Sequence, residues 1–299
     1  MKTPFQLKPS LWLMALVFTA LLFSANVEAQ PIKVFTSILP QKYLVEQIAG
    51  DLVDVEVLVE PGMSPHTFEP LPQQMSRLSR ASVFFMIGVP FEQALVKRLS
   101  TICPDLELVD TGKNVPRRMM NEQEQDHRHS AECAHGTGAS DPHIWLDPVY
   151  AVIQAEAIAS ALIKIMPDNA AAINDGLLKL TTELKTLDEQ LASALAPVKG
   201  QTMLVFHPAF GYFADRYGLQ QQSVEVEGKE PGPRQLAALI RKCRQLGVRV
   251  VFVQKQFPVA AARTVASSIN GAVVQIDPLA EDYIDNLRRL GEAVLAGVK

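Results

Sequence analysis

Residues 168–195 read DNAAAINDGLLKLTTELKTLDEQLASAL, and this segment sets the architecture of the whole chain. Its apolar residues recur at spacings of four and three and so form one stripe along a helix: Ile173, Leu177, Leu180, Leu184, Leu187 and Leu191. With Asp168 as the N-cap, the helix is on the order of 40 Å long, enough to cross a small domain. Because no glycine or proline follows Leu177 within the segment, the pattern predicts a rigid helix.

Apolar runs rich in Val, Ile and Phe alternate with helical stretches on both sides of this helix. Such alternation is typical of parallel sheets covered on both faces. The predicted strands are 32–38, 53–59, 83–88 and 106–110 before the helix, and 203–207, 248–254 and 272–277 after it, where the predicted helices are 234–246, 260–269 and 282–295. The sequence therefore predicts an α/β fold of two parallel-sheet lobes joined by one long rigid helix, with a ligand site in the cleft between them.

The first thirty residues have the pattern of an export signal. Lys2 and Lys8 provide a positive start, an uncharged apolar run follows at 11–25, and Ala29 ends a segment that a signal peptidase could cut. The run is short for a membrane anchor, which is the less favoured alternative, and no cysteine follows it to accept a lipid. We expect a periplasmic mature protein without a membrane insertion, divided as follows: signal peptide 1–29, first lobe 30–167, connecting helix 168–198 and second lobe 199–299.

Composition argues against a nucleic-acid partner. The 299 residues include 28 Lys plus Arg and 32 Asp plus Glu, a net charge of −4, and the balance suggests no basic stripe for binding phosphate.

The six histidines fall into two groups. His127, His129 and His135 lie in a polar segment, 121–140, which we predict to be a mobile surface loop. The other three, His66, His143 and His207, each adjoin a proline and lie near an aromatic residue. This repeated setting distinguishes them from isolated structural histidines, although hydrogen-bonded structural roles are the alternative.

The second group of histidines, together with Asp277, predicts a metal site. His207 and Asp277 end predicted strands, and His66 follows the strand at 53–59. Carboxyl ends of parallel strands are where ligands of open α/β sheets bind. Three imidazoles and one carboxylate would form the tetrahedral shell that Zn²⁺ prefers, whereas a second carboxylate would suit manganese better.

Four segments carry a family resemblance: PHTFE at 65–69, DPHIWLDP at 141–148, HPAFGYF at 207–213 and GKEP at 228–231. In this order they resemble the metal-binding solute receptors of ABC importers, and most closely the periplasmic zinc-binding branch. The resemblance implies a monomeric receptor that delivers Zn²⁺ to a membrane permease and is not an enzyme. It places the ligands His66 and His143 in the first lobe and His207 and Asp277 in the second. Manganese-binding relatives usually have a glutamate where this chain has His207.

The sequence is also compatible with other functions. The site could take manganese or another divalent ion, because affinity order alone does not select a metal. A zinc hydrolase would use the same cluster with Asp277 or Glu69 as the base, yet no His-Glu-x-x-His or similar signature is present. A cell-surface adhesin would share the fold. The loop at 121–140 is either a metal-capturing or zinc-sensing segment or a plain solvated loop.

Several residues are candidates to support the ligands. Glu69, Asp141 and Asp147 could hydrogen-bond the outer nitrogens of the metal-bound histidines, or Asp141 and Asp147 could serve as helix caps. The stretch 225–233 resembles a family loop near the cleft and is placed outside the ligand set. Trp145 and Phe210 are predicted to wall the site or to belong to the core.

Three cysteines allow one disulfide at most. Cys243 falls on an apolar stripe and is predicted to be a buried free thiol. Cys103 and Cys133 are then the potential pair in an oxidising compartment, although Cys133 could instead join neighbouring histidines in an accessory metal site.

Overall fold

The structure, a computed structural model, describes residues 30–120, 140–226 and 228–298. Residues 32–299 form one compact unit. The predicted signal peptide, Cys133 and the three loop histidines lie outside the described residues, so what the sequence suggests about them remains a prediction.

The first lobe is a four-stranded parallel sheet in the order β2-β1-β3-β4. Its strands are β1 Ile32–Thr36, β2 Val53–Val57, β3 Val83–Met86 and β4 Glu107–Asp110. Its helices are α1 Leu39–Ala49, α2 Pro72–Leu78, α3 Glu92–Ile102 and α4 Pro148–Ile165. All four predicted strands are present, and burial is greatest in the two central strands, β1 and β3.

The second lobe repeats this plan with the order β6-β5-β7-β8. Its strands are β5 Thr202–Val205, β6 Gln220–Ser223, β7 Val250–Gln254 and β8 Ala272–Ile276, and its helices are α6 Gly211–Tyr217, α7 Pro233–Gln245, α8 Val259–Ser268 and α9 Tyr283–Val298. Strand β6 was not predicted, since its sequence Gln-Gln-Gln-Ser has no apolar residue and it lies at the sheet edge.

The connecting helix, α5, spans Ala170–Leu195 and is followed by a 3₁₀ turn at Ala196–Val198. Five of the six stripe residues are buried, and Leu177 is half-buried. The predicted N-cap, Asp168, is wrong: Pro167–Asn169 form a 3₁₀ turn, and Asn169 precedes the helix without a side-chain cap. Proline at the start of this turn fixes the backbone in a tight conformation before the α-helix begins.

Helix α5 packs against both lobes, on α1 and α4 of the first and on α6 and α9 of the second. At α1 the approach is so close that a Cβ on Gly176 would meet the Ile48 carbonyl oxygen at 2.2 Å. Among the described helices, α4 is long and apolar enough to span a membrane by composition. It is a core helix here, with Ala155 and Ile158 fully buried in the cluster that unites the two lobes. The predicted fold class is confirmed.

Direct bonds also join the lobes around the cleft. The Trp145 indole donates to the Pro278 carbonyl at 2.7 Å, and the Tyr283 hydroxyl donates to the Trp145 carbonyl. On the far side Lys42 pairs with Glu281 at 2.5 Å. These bonds, together with α5, hold the carboxyl ends of the two sheets against each other.

Candidate metal centre

Three histidine side chains converge where the two lobes meet. His66 lies in the loop after β2, His143 lies just before the 3₁₀ turn at Ile144–Leu146, and His207 lies two residues after β5. The Nε2 atom of His66 is 3.3 Å from that of His143 and 3.1 Å from that of His207. The ligand nitrogens of all three lie within 4.8 Å of one another. Both lobes therefore contribute to one imidazole cluster.

His143 is held from behind by Asp141. Its Nδ1 atom lies 2.7 Å from Asp141 Oδ1, and the same oxygen accepts the His143 backbone N–H at 3.0 Å. Both side chains are almost wholly buried. Because a carboxylate accepts a proton on Nδ1, the Nε2 lone pair of His143 is directed into the cluster.

Asp141 is in turn fixed by side chains of both lobes. Arg118 donates to Asp141 Oδ2 at 3.3 Å and pairs with Asp215 at 3.1 Å, while the Tyr212 hydroxyl donates to the Asp141 carbonyl at 3.0 Å. A Cβ on Gly211 would lie 1.1 Å from Arg118 Nη1, so only glycine leaves room for this guanidinium. The orientation of His143 therefore depends on contacts from both lobes.

His207 has the equivalent support in the second lobe. Its Nδ1 atom lies 2.7 Å from Oε2 of buried Glu225, and Phe257 stacks on its ring with centroids 5.1 Å apart. The Gln254 side chain accepts the His207 backbone N–H at 3.2 Å and donates to its carbonyl at 2.6 Å. The imidazole is thus fixed at ring and backbone, again with Nε2 directed into the cluster.

His66 differs from the other two. It is half-buried, and among the described residues no carboxylate or carbonyl binds its Nδ1 atom. Its loop, 60–71, is rich in proline and has a left-handed glycine, Gly62, with φ of 84°. The backbone, more than an outer hydrogen bond, places this ligand.

The environment of the cluster favours neutral imidazoles. Burial, together with repulsion from the other two imidazoles, lowers the pKa of His66 to about 3. Burial also lowers the pKa of His143, although Asp141 acts in the opposite direction. Neutral imidazoles with inward lone pairs are the form that binds a metal cation.

The histidines line a small cavity of about 20 Å³, enough for one ion or one water molecule. Trp145, Phe257 and Pro278 cover it. The predicted role of Trp145 as a wall agrees with this lining, whereas Phe210 is buried but does not line the cavity.

Asp277, the fourth ligand predicted from the sequence, lies at the end of β8 but outside this cluster. Its Oδ2 atom pairs with Lys255 at 3.2 Å, and its Oδ1 atom accepts the Leu279 backbone N–H at 2.9 Å and the Gln256 side chain at 3.3 Å. The register of β7 and β8 pairs Gln254 with Ile276, which brings Lys255 beside Asp277. The structure therefore unites three of the four predicted ligands.

Of the three predicted supporting residues, one binds a histidine of the cluster and two do not. Asp141 binds a histidine of the cluster, whereas Asp147 caps α4 by accepting the Val149 backbone N–H at 2.8 Å. Glu69 is exposed in the loop at 60–71 and no bond joins it to the described histidines. Glu225 was missed as a support because it follows the unpredicted strand β6.

Cys243 is buried, and burial raises the pKa of its thiol, as expected of a structural free cysteine. Cys103 is half-buried at the end of α3.

Comparison with known proteins identifies the family of this chain. The profile of the ZnuA family, the periplasmic component A of zinc-uptake complexes, matches residues 34–296. The chain is 26% identical to the high-affinity zinc uptake system protein ZnuA of Yersinia pestis, over 96% of this chain and 98% of that one. A crystal structure of ZnuA superposes with a TM-score of 0.82 at 33% identity, covering 90% of this chain and all of that one. A zinc-bound ZnuA deletion mutant gives 0.81, also at 33% identity, covering 90% of this chain and 98% of that one.

Proposed function

Since this chain belongs to the ZnuA family of periplasmic zinc-uptake components, we propose that it captures Zn²⁺ outside the inner membrane and delivers it to the permease of an ABC importer. The observation that carries the proposal is the spacing of the three imidazole nitrogens. A tetrahedral Zn²⁺ with Zn–N bonds of about 2.0–2.1 Å separates its ligand nitrogens by about 3.3 Å. Two of the Nε2 pairs lie 3.3 and 3.1 Å apart.

The proposed ligands are therefore His66, His143 and His207. Two buried carboxylates, Asp141 and Glu225, lie behind two of these imidazoles and balance the charge of a bound dication. Asp277 as the fourth ligand stays a prediction, and a water molecule is the alternative occupant of that position. An all-imidazole cluster favours Zn²⁺ over the harder Mn²⁺, which prefers oxygen ligands.

A receptor accounts for this site better than a hydrolase. Catalytic zinc needs room for substrate and a base that is free to take a proton. The cavity of about 20 Å³ has no room for a substrate, and the two carboxylates nearest the cluster are bound to His143 and His207. The zinc-loaded protein is accordingly proposed to be a monomeric carrier without hydrolytic activity.

The proposal is tested by competitive zinc titration of residues 30–299 against a chelator, with metal content measured in parallel. We expect one tight site per chain, a strong preference for Zn²⁺ over Mn²⁺, and loss of tight binding in each of His66→Ala, His143→Ala and His207→Ala. Glu69→Ala, an exposed acid in the same loop as His66, is the matched control and should bind as the unmodified chain does. Absence of a tight site, or a preference for Mn²⁺, would overturn the assignment.

A further inference from the structure

A long stretch of the second lobe carries charge of only one sign. Residues 231–276 contain seven Lys and Arg and no Asp or Glu, although acids outnumber bases in the chain as a whole. The stretch comprises α7, β7, α8 and β8. The balanced composition of the whole chain hides this segregation.

The basic side chains of α7 point away from the core. Cys243, buried against the sheet, marks the inner side of α7. Arg234 and Arg241 lie two turns apart on the outer side, and Arg244 follows one turn later. Arg244 also donates to the Ser268 carbonyl at 3.0 Å, which joins the end of α7 to the end of α8. The two helices therefore form one continuous outer layer of the lobe.

Six cations of the stretch 231–276 have no acidic partner among the described residues. We define them as the basic face, and all six are exposed: Arg234, Arg241, Lys242, Arg244, Arg249 and Arg263. The seventh, Lys255, pairs with Asp277. Elsewhere in the same protein, exposed arginines such as Arg77 and Arg216 pair with carboxylates at short distance. An unneutralised group of like charges attracts a polyanion at long range.

An exposed leucine lies within the basic face. Leu246 is 47% exposed and lies between Arg244 and Arg249 in the sequence. Leu246 and Arg249 also line a surface cavity of about 440 Å³. Cations around an exposed aliphatic side chain match the boundary between lipid headgroups and acyl chains.

We propose that the basic face associates reversibly with the anionic phospholipid headgroups of a membrane surface. The inference rests on the proposed function in one respect, because that function locates the chain beside the membrane that holds the permease. Association would confine the receptor to the membrane plane and so raise its concentration near the permease. Each cation contributes independently of its neighbours to attraction of this kind, which salt screens.

The test is co-sedimentation of residues 30–299 with vesicles of phosphatidylcholine, either alone or with one quarter phosphatidylglycerol. The test variant combines Arg234→Gln, Arg241→Gln and Lys242→Gln, three exposed positions that form no ion pair with a described residue. The control variant combines Lys97→Gln, Arg98→Gln and Lys179→Gln, which removes the same charge from exposed helical positions in α3 and α5. Zinc titration of both variants checks that the fold and the metal site are intact.

We expect the unmodified chain to bind the anionic vesicles at low salt and not the neutral ones, and to dissociate at about 0.5 M salt. The test variant should bind about 100-fold more weakly, roughly five-fold per cation, while the control binds as before. Equal binding to both vesicles, an equal loss in the control, or binding to soluble polyglutamate but not to vesicles would overturn the proposal. Because vesicle binding needs no zinc, failure of zinc binding would count against the proposed function alone.

Discussion

The ends of β5 and β8 look alike in sequence and differ in use. Each strand is an apolar run followed by a polar residue and a proline, with His207-Pro208 after one and Asp277-Pro278 after the other. Both strands belong to the same parallel sheet, with β7 between them. Yet the Nε2 atom of His207 lies 3.1 Å from that of His66 in the opposite lobe, whereas Asp277 pairs with Lys255 of its own lobe.

A position at a strand end brings a side chain to the edge of the cleft. The bonds to neighbouring groups then determine whether that side chain has a lone pair available for a metal ion. Glu225 occupies the outer nitrogen of His207 and leaves the inner one available. Lys255 and the Leu279 backbone N–H occupy both oxygens of Asp277. The bonds that each residue forms with its neighbours, more than its position at a strand end, distinguish the proposed ligand His207 from Asp277.

Among the changes that test this comparison, substitution of His207 has the largest expected effect on zinc affinity. We expect His207→Ala to weaken zinc binding by more than about 100-fold, since it removes one of three clustered imidazoles and leaves buried Glu225 unpaired. Competitive titration measures the loss. Gln222→Ala, a change in the neighbouring edge strand β6, is the control and should leave the affinity unchanged. An affinity within a few-fold of that of the unmodified chain would remove His207 from the ligand set.

Glu225, the carboxylate behind His207, allows a second test of this comparison. Glu225→Gln keeps the shape of the side chain but removes the charge that polarises His207, so zinc affinity should fall by about 10- to 100-fold. Glu230→Gln removes an exposed acid of the same segment and serves as the control. If both variants bind zinc equally well, Glu225 is a packing residue and the outer hydrogen bond does not tune the site.

The sequence reveals the fold and most of the candidate site for physical reasons that the two strand ends illustrate. Apolar runs and the stripe on α5 are strong signals because burial requires them. The polar edge strand β6 gives no such signal, so Glu225 could not be placed behind His207. Nor could the pairing of Lys255 with Asp277 be foreseen, because it depends on which residues of β7 and β8 lie side by side, and the sequence alone does not identify those pairs.

The end of the corresponding strand in the first lobe, β1, offers a comparison through pH. Ser37 follows β1, and its hydroxyl donates at 2.5 Å to buried Glu92, which also accepts the Ile87 and Gly88 backbone N–H groups. Burial raises the pKa of Glu92 to about 7 despite these bonds. Between the ordinary value, about 4.5, and about 7, the native protein thus binds a proton that the unfolded chain does not.

Glu92 should therefore lower the free energy of unfolding as pH rises through this window, by at most about 1.4 kcal/mol per pH unit, and have a constant effect above it. We expect Glu92→Gln to abolish this pH-dependent contribution to the free energy of unfolding. Urea unfolding of the metal-free protein at several pH values measures it. Asp105→Asn, an exposed acid of the same lobe, should leave the slope unchanged. Identical slopes in the Glu92→Gln variant and the unmodified chain would show that Glu92 is ionised throughout.

Substitution of Asp277 has the smallest expected effect on zinc affinity. Its result shows whether the ends of β5 and β8 have different roles. Asp277→Ala should cost about 1 kcal/mol of stability, since it removes one backbone hydrogen bond and a partly exposed ion pair. Zinc affinity should change by less than about three-fold, because the carboxylate is bound elsewhere in the lobe. A loss of ten-fold or more, absent in Lys255→Ala, would instead mean that zinc draws Asp277 away from Lys255 and completes a four-ligand shell. In that case the ends of β5 and β8 would serve the same site, with Asp277 joining only once the metal is bound.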